Sequence, residues 1–351
     1  MARLVFIVQG EGRGHLSQSL ALAEYLEKAG HEIEAVFAGC RKDLPLPAYF
    51  REFFKGKLHC FSRPYFLRTR NRKGLCICRT FAFHLIRTFQ YLSEIKHMRE
   101  KIRSLEPDVV VNFYDLLGAL ALRRIPPSIL RVGVGHHFYH HLEGYRCPGG
   151  HRLHKRSLKM LTSLIMGSCD RVLALSFREA RGNDRIRVVP PLVRKAFRQA
   201  SYRRGSSYLV YLLSEGFVED LSALAREDPS FEADLFSDLP ADTPVPGGIR
   251  LHALDDKAFL RKMSTCRALV CTSGFDAVAE AATMGVPVGV MPVRKHFEQA
   301  CNSADIHRSG IGKVLEDFSV EAMEQIGGGA PPAFREWVSS AGEHIIRQLE
   351  L

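Results

Sequence analysis

Two stretches of the chain combine residue types that can bind and activate a ligand. The first is Gly10-Glu11-Gly12-Arg13-Gly14-His15. Glycines at alternating positions let backbone N–H groups approach an anion at the start of a helix. His15 closes this loop with a group that titrates near neutrality. Its neutral imidazole can take the proton of a hydroxyl nucleophile; its other use is to cap the helix it opens. The second stretch runs from Ser273 to Gln299. Ser273-Gly274 offers free N–H groups at a helix start, suited to a diphosphate. Glu280, further along that helix, has a carboxylate able to accept from two ribose hydroxyls. Glu298-Gln299 can bond the hydroxyls of a sugar.

These residues need strands and helices to hold them. Residues 3–9 (RLVFIVQ) form a short apolar, β-branched run, which predicts a buried strand. The glycine loop follows it, then a helical pattern with Leu20, Leu22, Ala23 and Leu26, then a strand over 31–37. Strand, loop, helix and strand in that order start a parallel α/β unit. Phe81, Leu85, Phe89, Leu92, Ile95, Met98, Ile102 and Leu105 recur at helical spacing and predict one long helix over 80–105. Phe89, Leu92 and Ile95 are expected to face the core. Further strands are expected at 108–113, 129–135 and 171–175. A basic, polar stretch at 196–207 reads as a linker. A second α/β set follows, with strands at 208–213, 268–272 and 286–291 and a final helix over 334–349.

The chain has 351 residues, enough for two domains. Residues 206–351 carry 12 Lys and Arg against 22 Asp and Glu, whereas the rest of the chain is strongly basic with a net charge of +21. The basic half is expected to meet something anionic: an acidic lipid surface, an anionic small substrate or a nucleic acid. Arg63, Arg68, Arg70, Arg72, Lys73 and Arg79 interleave with Tyr65, Phe66, Leu67, Phe81 and Phe83, a composition that docks on anionic headgroups or a nucleic-acid backbone. His136-His137-Phe138-Tyr139-His140-His141, near Cys147, His151 and His154, is dense in metal-ligating types. Its spacing matches no zinc pattern, so acceptor contacts are the preferred reading and no metal is expected. The nine cysteines are scattered, with Cys76 and Cys78 read as free thiols. With no secretory leader pattern, a reduced, cytoplasmic setting is expected.

The motifs resemble a known family. Ser273-Gly274, Glu280-Ala281, Gly285-Val286-Pro287, Pro292, Glu298-Gln299, Asn302 and Gly310-Ile311-Gly312 are similar to the donor-binding segment of nucleotide-sugar glycosyltransferases of the GT-B fold. Gly14-His15, with Leu22-Ala23, Leu26 and Gly30-His31, resembles the first glycine loop of the same superfamily. The bacterial branch that acts on lipid-linked and polysaccharide acceptors is the nearer likeness, since the tryptophan of the plant signature is missing.

The resemblance implies two Rossmann-like parallel-sheet domains facing each other across a cleft. Residues 1–200 would bind the acceptor and 207–332 the donor, with 333–351 packing back on the first domain. It implies transfer of a sugar from a nucleotide-sugar, most often UDP-linked, to a hydroxyl acceptor that is lipid-linked or anionic, with inversion and without metal. Gly12, Gly14, Ser273, Gly274 and Glu280 would hold the nucleotide, and Glu298 and Gln299 the donor sugar. His15 would be the base, held by Asp115; Asp115 alternatively caps its own helix. Arg13, His136, His137, Arg68 and Arg70 are candidates for acceptor or membrane contact. The readings that compete are a nucleotide-sugar hydrolase of the same fold and a non-catalytic binding protein for nucleic acid or nucleotide-sugar. No nucleic-acid motif is present, so nucleic acid is not the expected partner.

Overall fold

A computed structural model describes residues 1–10, 12–41, 45–65, 83–149, 152–212, 215–240, 242–293 and 296–351. Two parallel sheets organise the chain. The first contains β1 (Arg3–Val8), β2 (Glu32–Cys40), β3 (Leu58–Ser62), β4 (Val109–Phe113), β5 (Leu130–Gly135), β6 (Arg171–Leu175) and β7 (Ile186–Val189), in the order β3-β2-β1-β4-β5-β6-β7. The second contains β8 (Tyr208–Tyr211), β9 (Ala233–Phe236), β10 (Ile249–His252), β11 (Leu269–Cys271), β12 (Val288–Val290) and β13 (Lys313–Val314), in the order β10-β9-β8-β11-β12-β13.

Parallel strands need crossovers, and the crossovers cover both sheet faces with helices. β1 shows the consequence. Leu4, Phe6 and Val8 join one apolar cluster while Val5 and Ile7 join another, so no position in the run is free to be polar. The first domain contributes helices α1 (Gly14–Lys28), α2 (Ala48–Phe53), α3 (Thr88–Leu105), α4 (Leu116–Leu122), α5 (Arg152–Met166) and α6 (Lys195–Gln199). The second contributes α7 (Glu215–Glu227), α8 (Asp256–Met263), α9 (Phe275–Met284), α10 (Phe297–Ser309) and α11 (Val320–Glu324). The chain ends in α12 (Pro332–Ser339) and α13 (Ala341–Leu349), which return to the first domain. There the Trp337 indole N–H donates to the Ser176 carbonyl at 2.9 Å, and Arg171 donates to the Gln348 carbonyl.

Each sheet reverses its strand order beside its first strand, at β1/β4 and at β8/β11. Open α/β sheets bind ligands at the carboxyl ends of such strands. The Gly10–His15 loop leaves β1 at that point, and Ser273-Gly274 leaves β11 at the matching one.

Two expectations are corrected. Ile95, Met98 and Ile102 face the core as predicted, but Phe89 is 85% exposed and Leu92 55% exposed. The buried stripe of α3 is Tyr91, Ile95, Met98 and Ile102, spaced by three and four residues, and Phe89 and Leu92 fall off it; the described residues 83–86 form a separate helical turn, broken from α3 at Arg87. The expected reduced setting meets one bonded pair: Cys40, at the end of β2, is bonded to Cys60 in the middle of the neighbouring strand β3. That pair removes part of the cysteine argument for a reducing compartment. Cys76, Cys78 and His151 lie outside the described residues, as do Phe66, Leu67, Arg68, Arg70, Arg72, Lys73, Arg79 and Phe81.

Candidate functional site

A cavity of about 250 Å³ opens between the two domains. Arg13, Gly14, His15, Ser17, Tyr49, His136 and Arg194 form its first-domain wall; Thr272, Gly274, Phe275, Asp276, Glu280 and Glu298 are on the opposite side.

His15 sits in the first turn of α1 and is 8% exposed. Its Nδ1 lies 3.1 Å from Gln18 Oε1. The other end of that amide fixes the direction of the bond. Gln18 Nε2 lies 2.9 and 3.2 Å from the two carboxylate oxygens of Asp276, which sits in the first turn of α9 in the second domain. Carboxylate oxygens only accept, so the amide nitrogen donates there and Oε1 accepts from His15 Nδ1–H. That assigns the hydrogen to Nδ1 and leaves Nε2 with its lone pair, the tautomer a general base requires. Burial, then the neighbouring His137 and His136 rings, push the His15 pKa down to about 3, so the imidazole is neutral at physiological pH. Burial raises the Asp276 carboxyl to about 6, which still leaves it mostly ionised at pH 7.

Asp115 is the first site correction. Its Oδ1 accepts from the Gly118 N–H at 2.7 Å, and its backbone pairs with the Asn112 side chain. It is the N-cap of α4, while Gln18 and Asp276 take the place beside His15 that the resemblance gave to it. Tyr114, next to it, has φ +58°, sparsely populated for a residue with a side chain. This conformation helps stack its ring on His137 at 4.0 Å and beside His15 at 5.7 Å.

Glycines are needed in the loop for a close approach. A Cβ on Gly14 would meet Asp276 Oδ2 at 2.5 Å, so a larger residue would displace the Asp276 carboxylate that Gln18 holds. Gly12, at φ +74°, turns the chain ahead of α1 and is outside the cavity lining. Arg13 lines the cavity and donates to the Leu254 carbonyl at 3.0 Å.

Two donor-side residues, Ser273 and Gln299, are placed away from the cavity lining. Ser273 is fully buried, its hydroxyl 2.5 Å from that of Ser303, so it ties loop to helix and does not face a ligand. Gly274 does line the cavity at the N-cap of α9, though its own N–H turns back to Thr272. Gln299 uses Oε1 to accept from the Val293 N–H at 2.8 Å, which holds the preceding loop and keeps the amide out of the cavity lining. Glu280 is in the cavity wall, but both its oxygens already accept from Arg194, at 2.6 and 3.1 Å. Burial raises the Glu280 carboxyl and Arg194 works against that rise. Arg194 also donates to Asp256 at 2.7 Å and lies over the rings of Tyr49 and Phe197.

His136 and His137 are 6% and 5% exposed, so they are interior to the cleft and do not face a membrane. Both approach Glu298 at 3.3 Å, and His136 stacks on Phe275 of α9 at 4.9 Å. Burial alone would raise the Glu298 carboxyl, and the histidines outweigh it, leaving the group well below the usual range.

Sequence reasoning missed Gln18, Asp276 and Arg194. Gln18 lies one turn beyond His15 and Asp276 two residues beyond Gly274, positions where a helix start turns side chains toward the same ligand. Arg194 had no local signal.

A family model described as Glycosyl transferase family 1 matches residues 2–327. A relative in Methanosarcina acetivorans, named an uncharacterized glycosyltransferase, is 23% identical over 336 residues, covering 89% of this chain and 85% of its own. Among solved structures, MurG of Acinetobacter baumannii superposes with a TM-score of 0.58 at 14% identity, covering 100% of this chain and 99% of its own. The glycotransferase of kitacinnamycin superposes with the same TM-score at 17% identity, covering 99% of this chain and 95% of its own. Similarity at that level carries the fold.

Proposed function

The chain belongs to glycosyl transferase family 1, and from that premise we propose that it moves a sugar from a nucleoside-diphosphate sugar to an acceptor hydroxyl, with His15 as the base. The observation that carries this reading is the His15–Gln18–Asp276 chain, which leaves Nε2 unprotonated in the wall of the cleft.

In this reading the acceptor hydroxyl sits against His15. Its proton passes to Nε2 as its oxygen bonds to the anomeric carbon, while the bond from that carbon to the diphosphate oxygen breaks. Attack from the face opposite the leaving group inverts the anomeric centre. Burial and the His137 and His136 rings oppose the imidazolium so formed; Gln18, held by Asp276, and the nearby Glu298 carboxylate favour it. The departing diphosphate gains negative charge near the N-terminus of α9, where the first N–H groups lack intrahelical partners. Glu280, with Arg194 fixing its rotamer, is assigned the ribose hydroxyls through its remaining lone pairs.

Calorimetric titration with UDP, dTDP, GDP and CMP tests the donor site. One of the diphosphates is expected to bind with one-to-one stoichiometry, and UDP is the default of the family. Product analysis with that donor sugar then separates transfer from hydrolysis: a glycoside supports the proposal, and free sugar as the sole product overturns it.

The acceptor is assigned to the lipid-linked class, presented at an anionic membrane on the cytoplasmic side. What supports this is an exposed apolar and basic surface on the first domain. Leu85, Ile86, Phe89 and Leu92 are exposed, as are Leu153 and Met160 on α5. Arg152, Lys155, Arg156 and Lys159 share α5, and α4 packs against both α3 and α5. Apolar side chains ringed by cations suit an anionic interface. Among the described residues no helix is long and apolar enough to cross a membrane. Co-sedimentation with vesicles containing phosphatidylglycerol is expected, and Phe89→Ser with Leu153→Ser should weaken it by roughly tenfold or more, from the area each side chain buries. Equal sedimentation with neutral vesicles, or no effect of the double variant, would remove the membrane from this reading.

A further inference from the structure

We propose that His136, His137 and Glu298 form a binding site for a zinc-class divalent cation that joins the two domains across the cleft. Nothing in the transferase chemistry above calls for it. The readouts below do not depend on that chemistry, so either reading can fail alone.

The site is built from both halves of the chain. His136 and His137 are adjacent in a 3₁₀ turn (His136–His141) that leaves the end of β5, and Glu298 comes from the first turn of α10. The two rings lie 3.9 Å apart and tilted by 36°, so their Nε2 atoms converge on one carboxylate. His136 Nε2 is 3.3 Å from Oε1 and His137 Nε2 is 3.3 Å from Oε2. One ligand atom from each residue lies within 4.8 Å of the other two.

These spacings suit a cation. Two donors on bonds of about 2.0–2.1 Å at a tetrahedral angle lie about 3.3 Å apart. That is long for a direct hydrogen bond. Two histidines and a glutamate are also a donor set of hydrolytic zinc enzymes, three protein ligands with a fourth position left open. Here Glu298 and His136 both line the cavity, which gives that fourth position room for water or a substrate oxygen.

Burial sharpens the case. Neither ring can be hydrated freely, and both ring nitrogens of His136 and Nδ1 of His137 have no hydrogen-bond partner among the described residues. Unpartnered buried polar atoms are uncommon and costly. A cation on the two Nε2 atoms satisfies His136 Nε2 and gives Glu298 a counter-charge. Both Nδ1 atoms would still lack the outer partner that metal-bound histidines usually have, a loss of about 10- to 100-fold in affinity. The expected site is therefore one that a chelator empties. Magnesium, which prefers oxygen ligands in octahedral geometry, should not compete.

The test uses the full chain stripped with a chelator and titrated with Co²⁺, then Zn²⁺. Expected are saturation at one ion per chain, the visible absorption of tetrahedral Co²⁺, its displacement by Zn²⁺ but not by excess Mg²⁺, and a rise in melting temperature with Zn²⁺. Glu298→Gln and His137→Gln, close in shape to the native side chains, should each abolish the Co²⁺ spectrum while circular dichroism stays native. Absence of saturable binding by the wild-type chain overturns the proposal, whatever the variants do. So does a Co²⁺ spectrum that survives both substitutions, which would place the ion elsewhere.

Discussion

Replacing His15 with Gln should lower turnover by about 10²- to 10⁴-fold, the usual contribution of a positioned general base, and leave nucleotide affinity within a few-fold. Glutamine keeps a polar atom near Gln18 but has no nitrogen that can take a proton. The structure adds two controls. Gln18→Leu removes the acceptor that keeps the hydrogen on Nδ1. The ring is then free to place its hydrogen on Nε2, where it blocks proton transfer, so turnover should fall without a matching loss of nucleotide binding. Asp115→Asn tests the competing arrangement. Asn is as good an N-cap as Asp and carries no charge into a buried position where the carboxyl is already pushed up to about 6. Turnover is therefore expected to stay within a few-fold of wild type. Steady-state kinetics with the donor found by titration decides. A deep loss in Asp115→Asn beside a mild one in Gln18→Leu would return the positioning role to Asp115. Normal turnover in His15→Gln would remove His15 as the base altogether.

These controls also mark which parts of the molecule are local in sequence. β1, β4, β8 and β11 were legible because sheets covered on both faces need unbroken apolar runs, and such runs stand out. The strands missed were β3, β7, β10 and β13, which are the four sheet edges, together with β9. An edge strand is covered on fewer sides and tolerates polar residues. β3 buries only Phe61 deeply and β10 only Ile249. In β9 the signal is broken by Asp234, whose carboxylate is met by Arg250, His252 and Lys262.

The same division holds in the site. The glycine loop, His15, Gly274 and Glu280 were readable because each belongs to a strand–loop–helix passage that is contiguous in sequence. Their partners were not. Gln18 meets Asp276 across 258 positions and Arg194 meets Glu280 across 86, and no spacing rule spans such intervals. Asp115 shows the converse case, where the sequence offered both a place beside His15 and a helix cap, and the structure takes the cap. Its place after a strand was read correctly, but a residue just before a helix answers first to the open N–H groups one turn on.

The Arg194–Glu280 pair carries the largest expected effect on stability. Arg194→Met should destabilise the protein by about 3–5 kcal/mol, the range for leaving one member of a buried ion pair without its partner. Both side chains are almost wholly buried, so water cannot replace the lost guanidinium. Methionine fills similar space against Tyr49 and Phe197, which isolates the electrostatic part from packing. Combining it with Glu280→Gln removes the stranded charge, and the double variant should regain much of the loss. Urea unfolding of the wild type, the two single variants and the double variant gives the coupling directly. Additive effects would mean that the pair is not formed in solution. Nucleotide titration of the same four proteins separates structure from binding. If Glu280 holds the ribose hydroxyls, the double variant recovers its stability and still fails to bind the nucleotide. If it binds normally, Glu280 serves only to neutralise Arg194, and the ribose must be held from another part of the cleft wall.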